Sequence, residues 1–220
     1  MKKGISLSIL NVNFLNLKQE LEKFKQFGIE TLHFDVMDFH FVPNLSFGPK
    51  ILEDITKEFD FYIDAHMMVE IKNDFKNVVN VFKNAKVNQM TFHIEAFSNQ
   101  KIIQIIEYLK SQNIAASIAI KPQTNITEII NLLPLVDNVL VMSVEPGFGG
   151  QAFIQRVIEK VEKLNQIRND NKYKYTIQID GGINDQTYKI AKTAGVDNFV
   201  VGSFLANKDD FSERLNKFYE

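Results

Sequence analysis

The sequence predicts an α/β protein, a single (β/α)8 barrel with residues 1–220 as one domain. Three observations lead there. Short apolar, β-branched stretches alternate strictly with helical patterns, and parallel strands need such crossovers. There are eight strand–helix units, the number that closes a barrel. The competing doubly wound open sheet stops at about six strands and wants G-x-G-x-x-G after its first one. Here the first strand is followed by Asn11-Val12-Asn13, without glycine.

The elements follow in order. Residues 5–10 form a β-type run, and 17–27 a helix with Leu21, Phe24 and Phe27 on one face, stopped by Gly28. The second strand is 31–35; a loop carrying Pro43 and Pro49 leads to a helix over 51–58. Strand three covers 61–68 and its helix 71–84; strand four covers 89–94 and its helix 100–112, with Ile102, Ile103, Ile106 and Leu109 facing inward. Strand five, 115–120, precedes a short helix over 126–133. Strand six, 138–142, runs into a glycine-rich loop and a long helix over 151–168. Strand seven, 175–179, leads to Asp180-Gly181-Gly182 and a helix over 185–194; strand eight, 198–201, leads to Gly202-Ser203 and a helix over 209–218.

Composition excludes several function classes. A formal charge of -2 gives no field suited to nucleic acid or an anionic membrane. The longest apolar runs fall well short of the roughly 18 residues of a membrane span, and Met1-Lys2-Lys3-Gly4-Ile5 does not open a signal peptide. These features point to a cytoplasmic protein with neither nucleic-acid nor membrane partners. The chain has no cysteine, so disulfides and thiolate chemistry are out, and metal ligation falls to histidine and carboxylate.

In such a barrel the site is built where strands end at the C-terminal face. Those ends carry Ser8, His33 with Asp35, Asp64 with His66, His93 with Glu95, Met142, Asp180, and Gly202 with Ser203. Three of the four histidines stand there. His33 and Asp35 are two apart and share a strand face, where burial costs several kcal/mol unless a partner or a metal answers them. A lone histidine is more often a hydrogen-bonded core residue. His33, Asp35, His66 and Asp180 together, from three strands, suit one divalent ion, with Zn2+, Fe2+, Mn2+ and Co2+ all open. His93 stays open between ligand and support behind the ligands, and His40 belongs to the loop rather than to the ligand set.

Glycine marks a second cluster: Glu145-Pro146-Gly147-Phe148-Gly149-Gly150, Gly181-Gly182 and Gly202-Ser203 follow three consecutive strands. Backbone N–H groups in such loops cradle phosphate; any one of these glycines reads better as an ordinary turn, but three clusters at consecutive strand ends point to a phosphate cup. Met37, Met68 and Met142 also fall at strand ends, as core filler or as an apolar collar around the polar group. Lys121-Pro122 could reach a phosphate or stay solvated.

These residues spell a family. Ile5-Ser6-Leu7-Ser8-Ile9-Leu10, His33-Phe34-Asp35-Val36-Met37-Asp38 with Phe41-Val42-Pro43-Asn44, and Asp64-Ala65-His66-Met67-Met68-Val69 come first. Thr91-Phe92-His93-Ile94-Glu95-Ala96, the stretch from Val139 through Glu145-Pro146-Gly147-Phe148-Gly149-Gly150 to Gln151, and Ile179-Asp180-Gly181-Gly182 follow. In these stretches the chain resembles ribulose-phosphate 3-epimerase over essentially its whole length. The resemblance implies a phosphate-binding TIM barrel of the ribulose-phosphate type, an isomerase of carbohydrate metabolism in the pentose phosphate pathway. It implies interconversion of D-ribulose 5-phosphate and D-xylulose 5-phosphate by two-base proton transfer at C3 through an enediolate. It assigns one divalent metal to His33, Asp35, His66 and Asp180, and the acid–base pair to Asp35 and Asp180. It places Ser8, His66 and Asp180 at the substrate, a small phosphorylated ketose. Phosphate goes to Gly147, Phe148, Gly149, Gly150, Gly181, Gly182, Gly202 and Ser203.

Two departures stand out. Phe39 occupies a position the family usually gives to glycine, and Asn11-Val12-Asn13 replaces Ser-Ala-Asp. The nearest alternative is a hexulose-6-phosphate 3-epimerase on the same barrel, acting for example on D-allulose 6-phosphate. A decarboxylase of this barrel would want Asp-x-Lys-x-x-Asp, which is absent. A non-catalytic phosphosugar sensor would need an output module, and none is visible. Self-association into a homo-oligomer is expected, with some of the 19 phenylalanines supplying apolar surface.

Overall fold

Eight parallel strands hydrogen-bond in chain order and close, β8 against β1, in the computed structural model. It describes residues 4–72 and 74–219; Met1, Lys2 and Lys3 of the leader reading and Asn73 of the third expected helix lie outside them. The strands are β1 (Gly4–Ser8), β2 (Thr31–Met37), β3 (Tyr62–Met68), β4 (Gln89–His93), β5 (Ala115–Ile120), β6 (Asn138–Met142), β7 (Thr176–Asp180) and β8 (Asn198–Val201). The helices are α1 (Leu17–Gln26), α2 (Pro49–Glu58), α3 (Phe75–Asn84), α4 (Asn99–Ser111), α5 (Ile158–Asn171), α6 (Asp185–Ala194) and α7 (Phe211–Asn216). The expected (β/α)8 barrel is therefore the fold.

Each strand is buried on both faces, as parallel strands under helices must be. Leu32, Phe34 and Val36 of β2, Ile63, Ala65 and Met67 of β3, and Ile177 and Ile179 of β7 all join the large apolar core. The alternate residues include Thr31, His33, Asp35, Asp64, His66, Gln178 and Asp180, which with Ser6, Gln89, Asn138 and Asn198 make up a polar interior. That interior is hydrogen-bonded from strand to strand. Ser6 Oγ donates to Asn198 Oδ1 at 2.8 Å, and Asn138 Nδ2 donates to Ser117 Oγ and Gln178 Oε1, each at 2.9 Å. Buried polar groups are tolerated only with such partners.

The structure corrects the sequence reading at several boundaries. No α-helix follows β5; 3-10 turns at Ile126–Glu128 and Leu133–Leu135 stand there instead. Pro134 disfavours the helical conformation at Leu133, and the β-branched run at Ile126, Thr127, Ile129 and Ile130 is a weak helix former. Ile126, Ile129, Leu132 and Leu133 are still buried, so the segment covers the barrel as a helix would. The long helix starts at Ile158 rather than at residue 151, because Ile154 N–H donates to Ser143 O at 2.8 Å and keeps the preceding residues in the loop. Strand two runs on to Met37, and strand one stops at Ser8. The last helix ends at Asn216, beyond which Phe218 and Tyr219 make tighter i→i+3 bonds to Leu215 and Asn216.

Arg168 of α5 fixes the base of β7, the strand that carries Asp180. Its guanidinium donates to Tyr175 O at 3.2 Å, to Asn165 Oδ1 at 2.8 Å and to the Asp197 carboxylate, which also accepts from Ile177 N at 3.0 Å. The pair is largely buried, at 16% and 8% side-chain exposure. Arg168→Leu is expected to lower unfolding stability by about 3–5 kcal/mol in urea titrations, since it removes the guanidinium from a largely buried ion pair. A loss below about 1 kcal/mol would mean that water already screens the pair.

Candidate active site

The inward residues of β2, β3 and β7 meet at one point beneath the C-terminal mouth. The register sets Asp35 beside His66 and Ser8 beside His33. His33 Nε2 and His66 Nδ1 stand 3.2 Å apart. Asp35 Oδ1 lies 3.3 Å from the first and 3.2 Å from the second, and Asp180 Oδ2 lies 3.7 Å from both. One donor atom from each of His33, Asp35, His66 and Asp180 falls within 4.8 Å of the other three. All four residues singled out in the sequence are thus brought together.

Supporting bonds aim these groups. Ser8 Oγ donates to Asp35 Oδ2 at 2.8 Å. Behind His33, Nδ1 donates to Asp64 Oδ2 at 2.8 Å, so that in the neutral imidazole Nε2 keeps its lone pair toward the cluster. Asp64 also accepts from Gln89 Nε2 at 2.9 Å, Thr91 Oγ1 at 3.1 Å and Gln178 Nε2 at 2.8 Å. Behind His66, Nε2 meets His93 Nε2 at 2.9 Å, and His93 Nδ1 meets Glu95 Oε2 at 3.0 Å.

The electrostatics separate the two candidate acid–base groups. Burial opposes charge on Asp35, but His33 and His66 overcome it and hold that carboxyl well below the usual carboxylate range. Burial pushes Asp180 up to about 6; His33 pulls against the rise and the Asp35 charge adds to it. His33 itself, against the penalty of burial, is raised well above its ordinary value by Asp35 and Asp64. Burial pushes His93 down to about 4, while Glu95, despite burial, is held at about 2 chiefly by its bond to His93.

The donor set fits a divalent cation. Asp35, Asp64 and Asp180 place three carboxylates in one largely buried cluster, and among the described residues no lysine or arginine pairs with any of them. Such a cluster wants positive charge, and two imidazoles with two carboxylates are the ligands of first-row divalent metals.

Above the cluster opens a cavity of ≈ 330 Å³. Ser8, Asp35, Asp180, Met37, Met68 and Met142 line it, as do Gly147, Phe148, Gly149, Gly150, Gly181, Gly182, Gly202 and Ser203. His33 and His66 are wholly buried and reach it only through the cluster. Two glycines have a visible reason. Gly181 adopts φ +119°, and a Cβ there would stand 2.5 Å from Val144 Cγ2; a Cβ on Gly149 would stand 2.3 Å from the Asn11 amide. Asn44 Nδ2 donates to Gly147 O at 2.7 Å, tying the loop after β2 to the loop after β6.

Some residues fall elsewhere. His40 is exposed in its loop, and Lys121 lies over the Phe41 ring, its Nζ 4.0 Å from the centroid, rather than at the glycines. Phe39 takes φ 61°, the left-handed conformation a glycine suits, with its ring 66% exposed and outside the cavity lining. Sequence reasoning missed Asn11, Lys208 and Arg214, which also line the cavity, and the anchoring part played by Asp64. For Asp64 a signal existed: polar residues recur two apart in Asp64-x-His66, Thr91-x-His93 and Gln178-x-Asp180, marking an inward polar face.

The chain matches the ribulose-phosphate 3 epimerase family over residues 4–206. The ribulose-phosphate 3-epimerase of Methanocaldococcus jannaschii is 38% identical over 216 residues, covering 98% of this chain and 89% of that protein. The cytoplasmic isoform of ribulose-phosphate 3-epimerase from Oryza sativa subsp. japonica is 36% identical over 205 residues, covering 91% and 86%. Among solved structures, a 3-hexulose-6-phosphate synthase superposes with a TM-score of 0.71 at 13% identity, covering 99% of this chain and 98% of that one, a likeness of fold alone. No helix among the described residues is long and apolar enough to cross a membrane. With the sequence relatives agreeing along nearly the whole barrel, the chain belongs to the ribulose-phosphate 3-epimerase family and is an isomerase, an epimerase by reaction class.

Proposed function

We propose that this chain interconverts D-ribulose 5-phosphate and D-xylulose 5-phosphate by inverting C3, with residues 1–220 acting as one catalytic barrel. The observation that carries the reading is a pair of carboxylates of opposite protonation tendency, Asp35 held ionised and Asp180 pushed up to about 6, facing one cavity. The C3 proton is acidic because it lies α to the C2 ketone. Asp35 takes it from one face, and Asp180, carrying a proton, delivers its own to the opposite face, so that C3 inverts. The reverse reaction exchanges the two roles. Bound Zn2+, Fe2+, Mn2+ or Co2+, held by His33, Asp35, His66 and Asp180, supplies Lewis-acid stabilisation of the charge that develops on the C2 oxygen. Ser8 keeps Asp35 oriented through its 2.8 Å hydrogen bond and stands at the substrate with it.

The phosphate is assigned to the loops of Gly147, Phe148, Gly149, Gly150, Gly181, Gly182, Gly202 and Ser203, with Lys208 and Arg214 as cations on the same cavity wall. Met37, Met68 and Met142, each at most 4% exposed, keep the region above the cluster dry and strengthen its electrostatics. The location named for the rice relative, the cytoplasm, is extended to this chain.

Asp35→Asn and Asp180→Asn are each expected to abolish turnover while leaving the far-UV circular dichroism and cooperative unfolding intact. Activity within a few-fold of the unsubstituted chain in either variant would refute the two-base scheme. Turnover of D-ribulose 5-phosphate in D2O should place deuterium at C3, stop on rigorous chelation and return when Zn2+ or Co2+ is added back. Activity indifferent to chelation would remove the metal from the proposal. Turnover confined to a hexulose 6-phosphate would replace the substrate.

Cation affinity should also depend on pH. His33 and Asp180 both hold protons more tightly than usual, and a proton on either donor atom that meets the cation competes with it. Lower pH fills these sites with protons. Zn2+ affinity is therefore expected to fall on acidification from pH 7, by about tenfold per unit for each proton displaced. Chelator-competition titrations across pH 5.5 to 7.5 would read it, and a flat profile would contradict it.

A further inference from the structure

We propose that Glu95 and His93 are positioning residues that set the tautomer of His66, presenting its Nδ1 lone pair to the cation site. The inference rests on the reading of His66 as a ligand. It starts from an inventory of protons along a buried line of groups. His66 Nδ1 faces the Asp35 and Asp180 carboxylates, while its Nε2 stands 2.9 Å from His93 Nε2. Two imidazole nitrogens at that distance share one proton. For His66 to offer a lone pair at Nδ1, its proton must sit on Nε2 and be donated to His93, whose Nε2 must then be bare. The proton of His93 is thereby placed on Nδ1, where Glu95 Oε2 accepts it at 3.0 Å.

Glu95 can play only this part because its other oxygen is committed as well. Oε1 accepts from the backbone N–H of Lys121 at 2.7 Å and from the Thr124 hydroxyl. An ionised carboxylate has no proton to give, so Glu95 accepts at both ends. The loop that supplies these donors is clamped from outside: Lys160 Nζ of α5 donates to the carbonyls of Lys121 at 3.0 Å and Pro122 at 2.8 Å. The Phe41 ring lies 4.8 Å from the His93 ring, centroid to centroid, and keeps it from turning over. The line from α5 through the β5 loop, Glu95 and His93 thus ends on one nitrogen of His66. His33 is set independently, by Asp64.

Glu95→Gln tests this because the amide keeps the shape but has one acceptor instead of two. With its oxygen on Lys121 N–H, its NH2 faces His93 Nδ1. That nitrogen must become the acceptor, so Nε2 gains the proton and points it at the proton of His66. With the amide reversed, NH2 opposes the Lys121 N–H. Either arrangement sets donor against donor, and the first is relieved only by moving the His66 proton to Nδ1, where it blocks the cation.

The experiment is 15N NMR of the imidazoles in the Zn2+-loaded full chain, whose four histidines make assignment tractable, together with Zn2+ affinity by chelator competition. In the unsubstituted chain the His93 proton is expected on Nδ1. In Glu95→Gln, read before Zn2+ is added, it is expected on Nε2, with Zn2+ affinity 10- to 100-fold weaker, the range seen when such supporting partners are removed. His93 carrying its proton on Nε2 in the unsubstituted chain would overturn the proposal without any variant, so a failure of Glu95→Gln to fold leaves it testable. Glu95→Gln holding Zn2+ within twofold would also overturn it while the cation site stands. Failure of the unsubstituted chain to bind Zn2+, Co2+, Mn2+ or Fe2+ would instead remove the ligand reading, and this proposal with it.

Discussion

Burying carboxylates without a matching cation from the protein is the constraint on which this structure turns. Asp35 and Asp64 are at most 3% exposed, the Asp180 side chain is 18% exposed, and among the described residues their charge partners are imidazoles. A carboxylate so placed costs several kcal/mol unless hydrogen bonds and opposite charge answer it. The barrel supplies the hydrogen bonds by lining its interior with donors. Asp64 on β3 is reached by Gln89 and Thr91 from β4, by His33 from β2 and, from β7, by Gln178. Because β3 and β7 lie far apart in the closed strand order, the last bond crosses the barrel interior. Cluster and barrel closure therefore depend on one another. A one-residue slip of β2 would turn His33 and Asp35 into the apolar layer and bring Leu32 and Phe34 against the anions.

This dependence explains why so much of the site was legible in the sequence. Period-two alternation says which residues share a face, and the faces carrying His33, Asp35, Asp64, His66 and Asp180 could point only inward once eight strand–helix units implied closure. The less legible parts involve contacts distant in sequence. Nothing local to residues 126–133 announces that a proline and a run of β-branched residues end in two 3-10 turns, since the apolar spacing suits a helix equally well. The late start of α5 depends on a bond from Ile154 to Ser143, at the end of another strand. Asn11 reads as a loop residue until the chain folds and its amide comes against Gly149. Phe39, standing where the family usually has glycine, accepts the left-handed conformation and stays exposed outside the cavity lining. The departure is local.

The two halves of the site are built differently. The cluster hangs on strands, whose hydrogen bonds on both sides leave little freedom, and its side chains are locked by neighbours that are themselves locked. The glycine wall is backbone, placed by close approach: Gly181 beneath Val144, and Gly182 against Phe153 with no room for a side chain. Ser143 Oγ donates to the carbonyls of Asp180 at 2.9 Å and Gly181 at 2.7 Å, so one hydroxyl spans the join between cluster and wall. Displacing the wall would therefore pull on Asp180, and through it on the protonation of the site.

That link bears on how the two carboxylates would exchange roles in the proposed epimerisation. Chemically the two side chains are identical, and their difference comes from surroundings. Asp35 accepts the Ser8 hydroxyl and sits 3.2–3.3 Å from both imidazole nitrogens, whereas Asp180 stands 3.7 Å from the same nitrogens. A reversible epimerisation tolerates only a moderate asymmetry, since a base that never releases its proton serves one direction alone. The shared nitrogens moderate it. When Asp35 takes up a proton its charge disappears, and with it the repulsion that helps hold Asp180 high, so Asp180 becomes the stronger acid as it needs to donate. In the proposed reaction each transfer would thus prepare its opposite, because the two carboxylates answer to one pair of imidazoles.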